Sequence, residues 1–240
     1  MKENNIIFEL KSIYKAIRKQ QIIIDASFKI YEGSLHAFVG ENGAGKSTVM
    51  NICVGNDLDY SGTLYFNNQN IDDIKNRKSF LFFNTDLKFP QYLNALEYVK
   101  NFVYAFNGNE ISNDVIIEKF KEYEIDHRLK NNPNSFSSGE KKKLALLFSE
   151  LANPKLLFLD EPEANLDPTS RLKLYQKLYE FKSSGMAVFV STHLINEIKG
   201  YVDMATFITH GRIAWSGKIE NHEQLASLYS KYILGNKEVK

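Results

Sequence analysis

Residues 40–48 read Gly40-Glu41-Asn42-Gly43-Ala44-Gly45-Lys46-Ser47-Thr48. Glycine opens the run, and Gly45, Lys46 and Ser47 close it at the spacing GxxxxGK(S/T), the pattern of a loop that wraps a polyphosphate. The chemistry requires those residue types. Glycines let the backbone curl until successive N–H groups point into one anion-sized cup. Lys46 brings a cation to the β- and γ-phosphates, and the Ser47 hydroxyl can ligate Mg²⁺. Leu35-His36-Ala37-Phe38-Val39 ahead of the loop reads as a buried strand. Residues 49–53 behind it read as a helix that starts near Lys46 and adds its positive dipole end to the cup. A chance glycine turn would lack those flanks.

Working outward, Ile6, Phe8 and Leu10 alternate with polar residues, as do Ile22, Ile24, Ala26, Phe28 and Ile30. Each set predicts a strand with one buried face. Residues 63–67 and 79–83 predict shorter strands. From about residue 90 to residue 151 the pattern turns helical. Tyr92, Leu96, Val99, Val103 and Phe106 fall on one stripe, and Val115, Ile116, Phe120 and Tyr123 on another. Strands return at 155–159, 187–191, 205–209 and 212–216. A helix over 169–182 starts behind Pro168, and 220–234 reads as a terminal helix. Strands alternating with helices imply a parallel central sheet with right-handed crossovers. Residues 90–151 then form a helical subdomain inserted into a single domain, with 1–89 and 152–240 as its other lobe.

Composition sets outer limits. The chain has 240 residues and a net charge of +1, which gives no electrostatic footprint for nucleic acid. Lys141-Lys142-Lys143 reads as a solvated helix face. The single cysteine, Cys53, excludes a disulfide framework and suits core packing in a reducing compartment. No apolar run reaches the length of a membrane span, and no signal-peptide core precedes the first strand. The expectation is a soluble, cytoplasmic chain that reaches a membrane only through a partner.

A second cluster of functional types lies downstream. Leu156-Leu157-Phe158-Leu159-Asp160-Glu161 is an apolar run ending in two acids, as a central parallel strand buried on both faces would read. Ligands bind at the carboxyl ends of such strands. Asp160 there can hold Mg²⁺, directly or through water, and Glu161 can polarise the water that attacks a γ-phosphate. His193 follows the next strand, at the same edge of the sheet. Finally, Asn134-Ser135-Phe136-Ser137-Ser138-Gly139-Glu140 runs into a helix from Lys141. Serine and glycine at a helix N-terminus make a cap ready for an anion. With a phosphate cup already present about ninety residues upstream, this second cap would serve another phosphate or another copy of the chain.

Together these motifs resemble the ATP-binding subunit of ABC transporters, in the right order and over nearly the whole chain. Residues 40–48 look like the Walker A loop, and Phe136-Ser137-Ser138-Gly139-Glu140 is similar to the LSGGQ signature. Residues 156–161 look like Walker B, Ala164-Asn165-Leu166-Asp167 like the D-loop and His193 like the switch histidine. The resemblance implies an α/β fold of the P-loop NTPase type: a mainly parallel sheet, an antiparallel β subdomain and the inserted helical subdomain. It implies ATP and Mg²⁺ as ligands, with Asp167 at the nucleotide and Ser47, Asn84 and Asp160 at the metal. Two such subunits, identical or homologous, would close head to tail, each ATP lying between one loop and the Ser137–Gly139 cap of the other copy. Separate permease subunits would hold the pair at the cytoplasmic face of the membrane. A compact single cassette points to export, and a soluble ATPase of the iron–sulfur assembly type is the alternative. Three departures stand out. Ser138 replaces the first signature glycine, and Asn84 stands where the family has glutamine. Ile17 stands where an aromatic residue stacks on adenine, with Tyr14 nearby but out of register.

Overall fold

The computed structural model describes residues 5–71, 79–84 and 86–235. Two sheets carry it. Strands β1 (Ile6–Ile17), β2 (Gln20–Tyr31), β4 (Ser61–Phe66) and β5 (Gln69–Asn70) form an antiparallel sheet in the order β2-β1-β4-β5. The larger sheet contains β3 (Leu35–Val39), β6 (Phe80–Phe83), β7 (Leu156–Asp160), β8 (Ala187–Thr192), β9 (Met204–Thr209) and β10 (Arg212–Lys218). Its order is β10-β9-β3-β8-β7-β6, and β10 alone runs against its neighbour.

The central strands are buried on both faces, as their unbroken apolar runs demand. Leu157, Leu159, Val188 and Val190 face one core, which the helices cover. Phe158 and Phe189 face the other, which the antiparallel sheet and helix α1 (Lys46–Val54) cover. Phenylalanine fills this second core. Phe8 meets Phe158 edge-on at 5.5 Å between ring centres, and Phe28 stacks on Phe189 at 5.4 Å. Val49, Met50, Ile52 and Cys53 of α1 pack there too, so the helix behind the phosphate loop is held firmly on its inner side.

Between β6 and β7 lie α2 (Ala95–Asn107), α3 (Asn113–Glu122) and α4 (Ser138–Ala152). A capping box at Asn94 and Glu97 starts α2, and Gly108 ends it in the left-handed conformation. Beyond β7 come α5 (Pro168–Ser183), the single turn α6 (Ile195–Ile198) and α7 (His222–Tyr229).

Several expectations shift here. Tyr92 is 95% exposed because it precedes α2, and Val115 is exposed because it sits a helical step away from buried Ile116 and Phe120. In β2, Ile22 and Ile24 are only half-buried while Ile23 is buried. Asp25 has φ 54°, and the pairing with β1 slips between Ile13 and Lys15. That irregularity moves the inward face by one residue. The terminal helix is α-helical only to Tyr229, and Ser230–Leu234 continues as a wider π-helical turn. Lys142 does not face solvent: it donates to the carbonyl of Ala164.

Candidate functional site

The loop between β3 and α1 closes around a cavity of about 280 Å³ lined by Asn42, Gly43, Lys46, Ser47, Asp160 and Glu161, among others. Glycine is required where the wall is tight. Gly45 has φ 109°, and a Cβ there would stand 2.6 Å from Ile23 Cδ1. At Gly40 a Cβ would come within 2.6 Å of the Ile208 carbonyl oxygen. The left-handed Gly45 also leaves the first N–H groups of α1 free to face the cavity. Lys46 is nearly buried and its ammonium is fully engaged. It donates to the carbonyls of Gly40 at 2.8 Å and Glu41 at 3.2 Å, and pairs with Glu161 Oε1 at 3.3 Å. Ser47 and Asn42 are exposed, and Thr48 is half-buried at the start of α1.

The opposite wall is built from the ends of β7 and β8. Ser191 Oγ donates to Asp160 Oδ1 at 2.5 Å and accepts from the Glu161 N–H at 2.9 Å. One hydroxyl therefore fixes both acids. Glu161 has φ 45°, a left-handed conformation costly for a residue with a Cβ. It turns the carboxylate back toward Lys46. His193 Nδ1 lies 3.8 Å from Glu161 Oε1, with the ring partly in solvent. Ser191, Thr192 and Glu163 were not legible as site residues from the sequence. Their only signal is a hydroxyl pair at the end of one strand and a third acid beyond the end of its neighbour.

The signature stretch forms a capping box at the start of α4. Ser137 Oγ accepts from the Glu140 N–H at 3.2 Å, and Glu140 Oε2 accepts from the Ser137 N–H at 2.8 Å. Glu140 is also gripped by Arg128, through Nε at 2.8 Å and Nη2 at 3.1 Å. The Arg128 guanidinium first, and the Ser137 N–H second, hold the Glu140 carboxyl down at about 2. Its folded value is thus below its unfolded value of about 4.3. The stabilisation it gives is complete above the unfolded value and is lost as pH falls toward the folded one. Wild type should therefore exceed Glu140→Gln in urea midpoint by a constant margin above about pH 5.5, and by a smaller one at pH 3. A margin independent of pH from 3 to 7 would contradict this.

Lys46, Ser47, Asp160, Glu161 and, at its rim, His193 thus come together in one chain. Ser137, Gly139, Asp167 and Asn84 do not line this cavity. Ser137 is exposed and Gly139 half-exposed at the N-terminus of α4. Asp167 caps α5, accepting from the N–H groups of Thr169 at 3.0 Å and Ser170 at 3.1 Å. Asn84 continues β6 past Phe83, which pairs with Leu159, so it stands at the sheet edge beside Asp160. Its Oδ1 accepts from the Asp86 N–H at 3.1 Å.

Among the described residues no aromatic ring lines the cavity, and Ile22 flanks it beside the loop and the two acids. Ile17 is exposed at the β1–β2 turn, and Tyr14 lines a separate cavity with Lys15 and Tyr60. Without a π-face for the base, ATP and GTP should bind within roughly a factor of ten, about 1.4 kcal/mol. Calorimetry with both nucleotides tests this, and a strong ATP preference abolished by Tyr14→Ala would overturn it.

The family model for ABC transporters matches residues 23–164, a span that holds the phosphate loop, the signature stretch and both acids. The chain belongs to the ABC transporter family. It is an ATPase of that family, an ATP-binding subunit. It is 35% identical over 228 residues to an ABC transporter ATP-binding protein of Mycoplasma pneumoniae, covering 90% of this chain and 68% of that protein. It is 28% identical to the lantibiotic transport ATP-binding protein SrtF of Streptococcus pyogenes over 231 residues, 96% of this chain and 99% of that one. Its fold matches the structure of an ABC transporter ATP-binding subunit with a TM-score of 0.80 at 24% identity, over 93% of this chain and 99% of the other.

Proposed function

We propose that two copies of this ABC subunit, or one copy and a homologue, close head to tail around ATP and drive a separate membrane-spanning permease of export type. One observation carries the reading. The cup holds a cation, a hydroxyl and two acids, yet the anion-ready cap at Ser137 faces solvent away from it. A site divided in this way is completed by a second copy.

Within each half, the N–H groups of residues 40–48 and the Lys46 ammonium bind the β- and γ-phosphates. Glu161 orients the attacking water and takes up its proton, and His193, beside it, contacts the γ-phosphate. The Ser47 hydroxyl and the Asp160 carboxylate, with Asn84 at the edge, are hard oxygen donors of the kind Mg²⁺ accepts. When bound, that ion would neutralise charge on the phosphate oxygens. The cap of the opposite copy, Ser137 and Gly139, meets the γ-phosphate only in the closed pair. ATP therefore binds the closed state more tightly, and hydrolysis removes the difference.

Residues 90–151 act as a lobe that moves against the rest of the chain and passes the motion to the permease. Among the described residues no helix is long and apolar enough to cross a membrane. The permease supplies that path and places this subunit on the cytoplasmic face. The match to a lantibiotic transport subunit makes a lantibiotic the cargo to test.

The test is reconstitution. The permease that purifies with the tagged chain is placed with it in inside-out vesicles, and ATP is added. Accumulation of a lantibiotic-type peptide inside the vesicles is the expected result. ATP hydrolysis coupled to movement the other way would reject the export assignment.

A further inference from the structure

Glu163 is 2% exposed and Thr192 is fully buried, yet neither belongs to the apolar core. Thr192 Oγ1 donates to Glu163 Oε1. The same hydroxyl accepts from the Leu194 N–H at 2.9 Å. It thereby closes the tight turn whose middle residue is His193. The second oxygen of Glu163 is buried and has no hydrogen-bond partner among the described residues. On its other flank, the backbone next to Glu163 is held by Lys142 of α4, whose ammonium donates to the Ala164 carbonyl.

A carboxylate in such a place is costly to bury, and a packed apolar side chain would stabilise the fold better. Structural need does not account for it. Position does: Glu163 lies two residues beyond Glu161 in the chain, and Thr192 one residue before His193.

We propose that Glu163 is a positioning residue for ATP hydrolysis. Through Thr192 it fixes the turn that keeps His193 beside Glu161. Through the Ala164–Lys142 contact it ties that turn to α4, the helix whose first residues reach the other copy. Glu163 touches no reacting atom itself. The inference rests on the role given to His193 above.

The test is a kinetic cycle on the full-length chain. Thr192→Val removes the hydroxyl at nearly constant shape and should lower kcat about 10- to 100-fold, the range for a misplaced catalytic group. ATP affinity, read by calorimetry, should stay at the wild-type value. Glu163→Ala should do the same. Thr192→Ser and Glu163→Gln, which keep a hydroxyl donor and an oxygen acceptor, should recover most of the loss. In a His193→Ala background Thr192→Val should lower kcat no further, because the group it positions is gone. A mere packing defect would instead multiply with the histidine loss. If Thr192→Val does not fold, Thr192→Ala takes its place in the same cycle.

Wild-type kcat in folded Thr192→Val, or independent losses in the double variant, would overturn the proposal while leaving His193 in its role. Wild-type kcat in His193→Ala would remove the role of His193 and this proposal together.

Discussion

Glu161→Gln is expected to keep ATP and lose turnover, with hydrolysis slowed about 10²–10⁴-fold, the usual contribution of a general base. The amide preserves shape and one oxygen but cannot accept a proton from water. Binding should not suffer. The Glu161 carboxylate pairs with Lys46 at 3.3 Å, and so competes with phosphate for that ammonium. Removing its charge should leave ATP affinity equal or higher. With closure intact and hydrolysis blocked, the variant should accumulate as an ATP-bound dimer. Phosphate release and gel filtration with ATP measure both effects. Turnover near wild type would take Glu161 out of the mechanism.

The second large effect is expected at the cap. Ser137→Arg puts a bulky cation where the proposed pair of copies would meet and disrupts the box that Ser137 makes with Glu140. ATP should still load onto residues 40–48 of the same chain, because the cap lines no part of that cavity. Dimer closure and hydrolysis should fail, since the γ-phosphate never gains its second set of N–H donors. Lys46→Ala should fail differently, because it removes the cation from the cup and with it ATP binding or turnover. Mixing the two variants should restore some activity in a homodimer, because one of the two shared sites then carries neither defect. Full ATPase activity in well-folded Ser137→Arg protein would defeat the head-to-tail model.

Much of this site was legible in the sequence because its parts are local. A phosphate loop is nine consecutive residues, and a buried strand ending in acids is six. Both are read from spacing and hydrophobic pattern alone. The misreadings have local causes too. Asp25 adopts positive φ in the second strand and shifts the pattern in a way that strict alternation does not allow for. Tyr92 fitted a helical stripe but lies before the capping box that starts the helix. Invisible from the sequence were contacts between distant residues of ordinary type. Thr192 meets Glu163 across 29 positions, and Lys142 reaches Ala164 across 22. Nothing in a lysine triplet distinguishes the middle one as a tether. Glu140 ends the signature stretch in the sequence. Its pairing with Arg128 and its hold on the Ser137 N–H needed the geometry.

The ion pair between Lys46 and Glu161 has a consequence for chronology. The ammonium and the carboxylate occupy each other, so a phosphate that binds Lys46 exchanges one anion for another. A tethered carboxylate has a high effective concentration at its partner. A small stray anion, with one contact to offer, competes poorly against it. A polyphosphate that also fills the row of backbone N–H groups can displace it. In the role proposed for it, Glu161 is free to turn to water only then. On the mechanism proposed above, one contact then orders the events: the acid holds the cation until a polyphosphate takes it over, and that exchange releases the acid for hydrolysis.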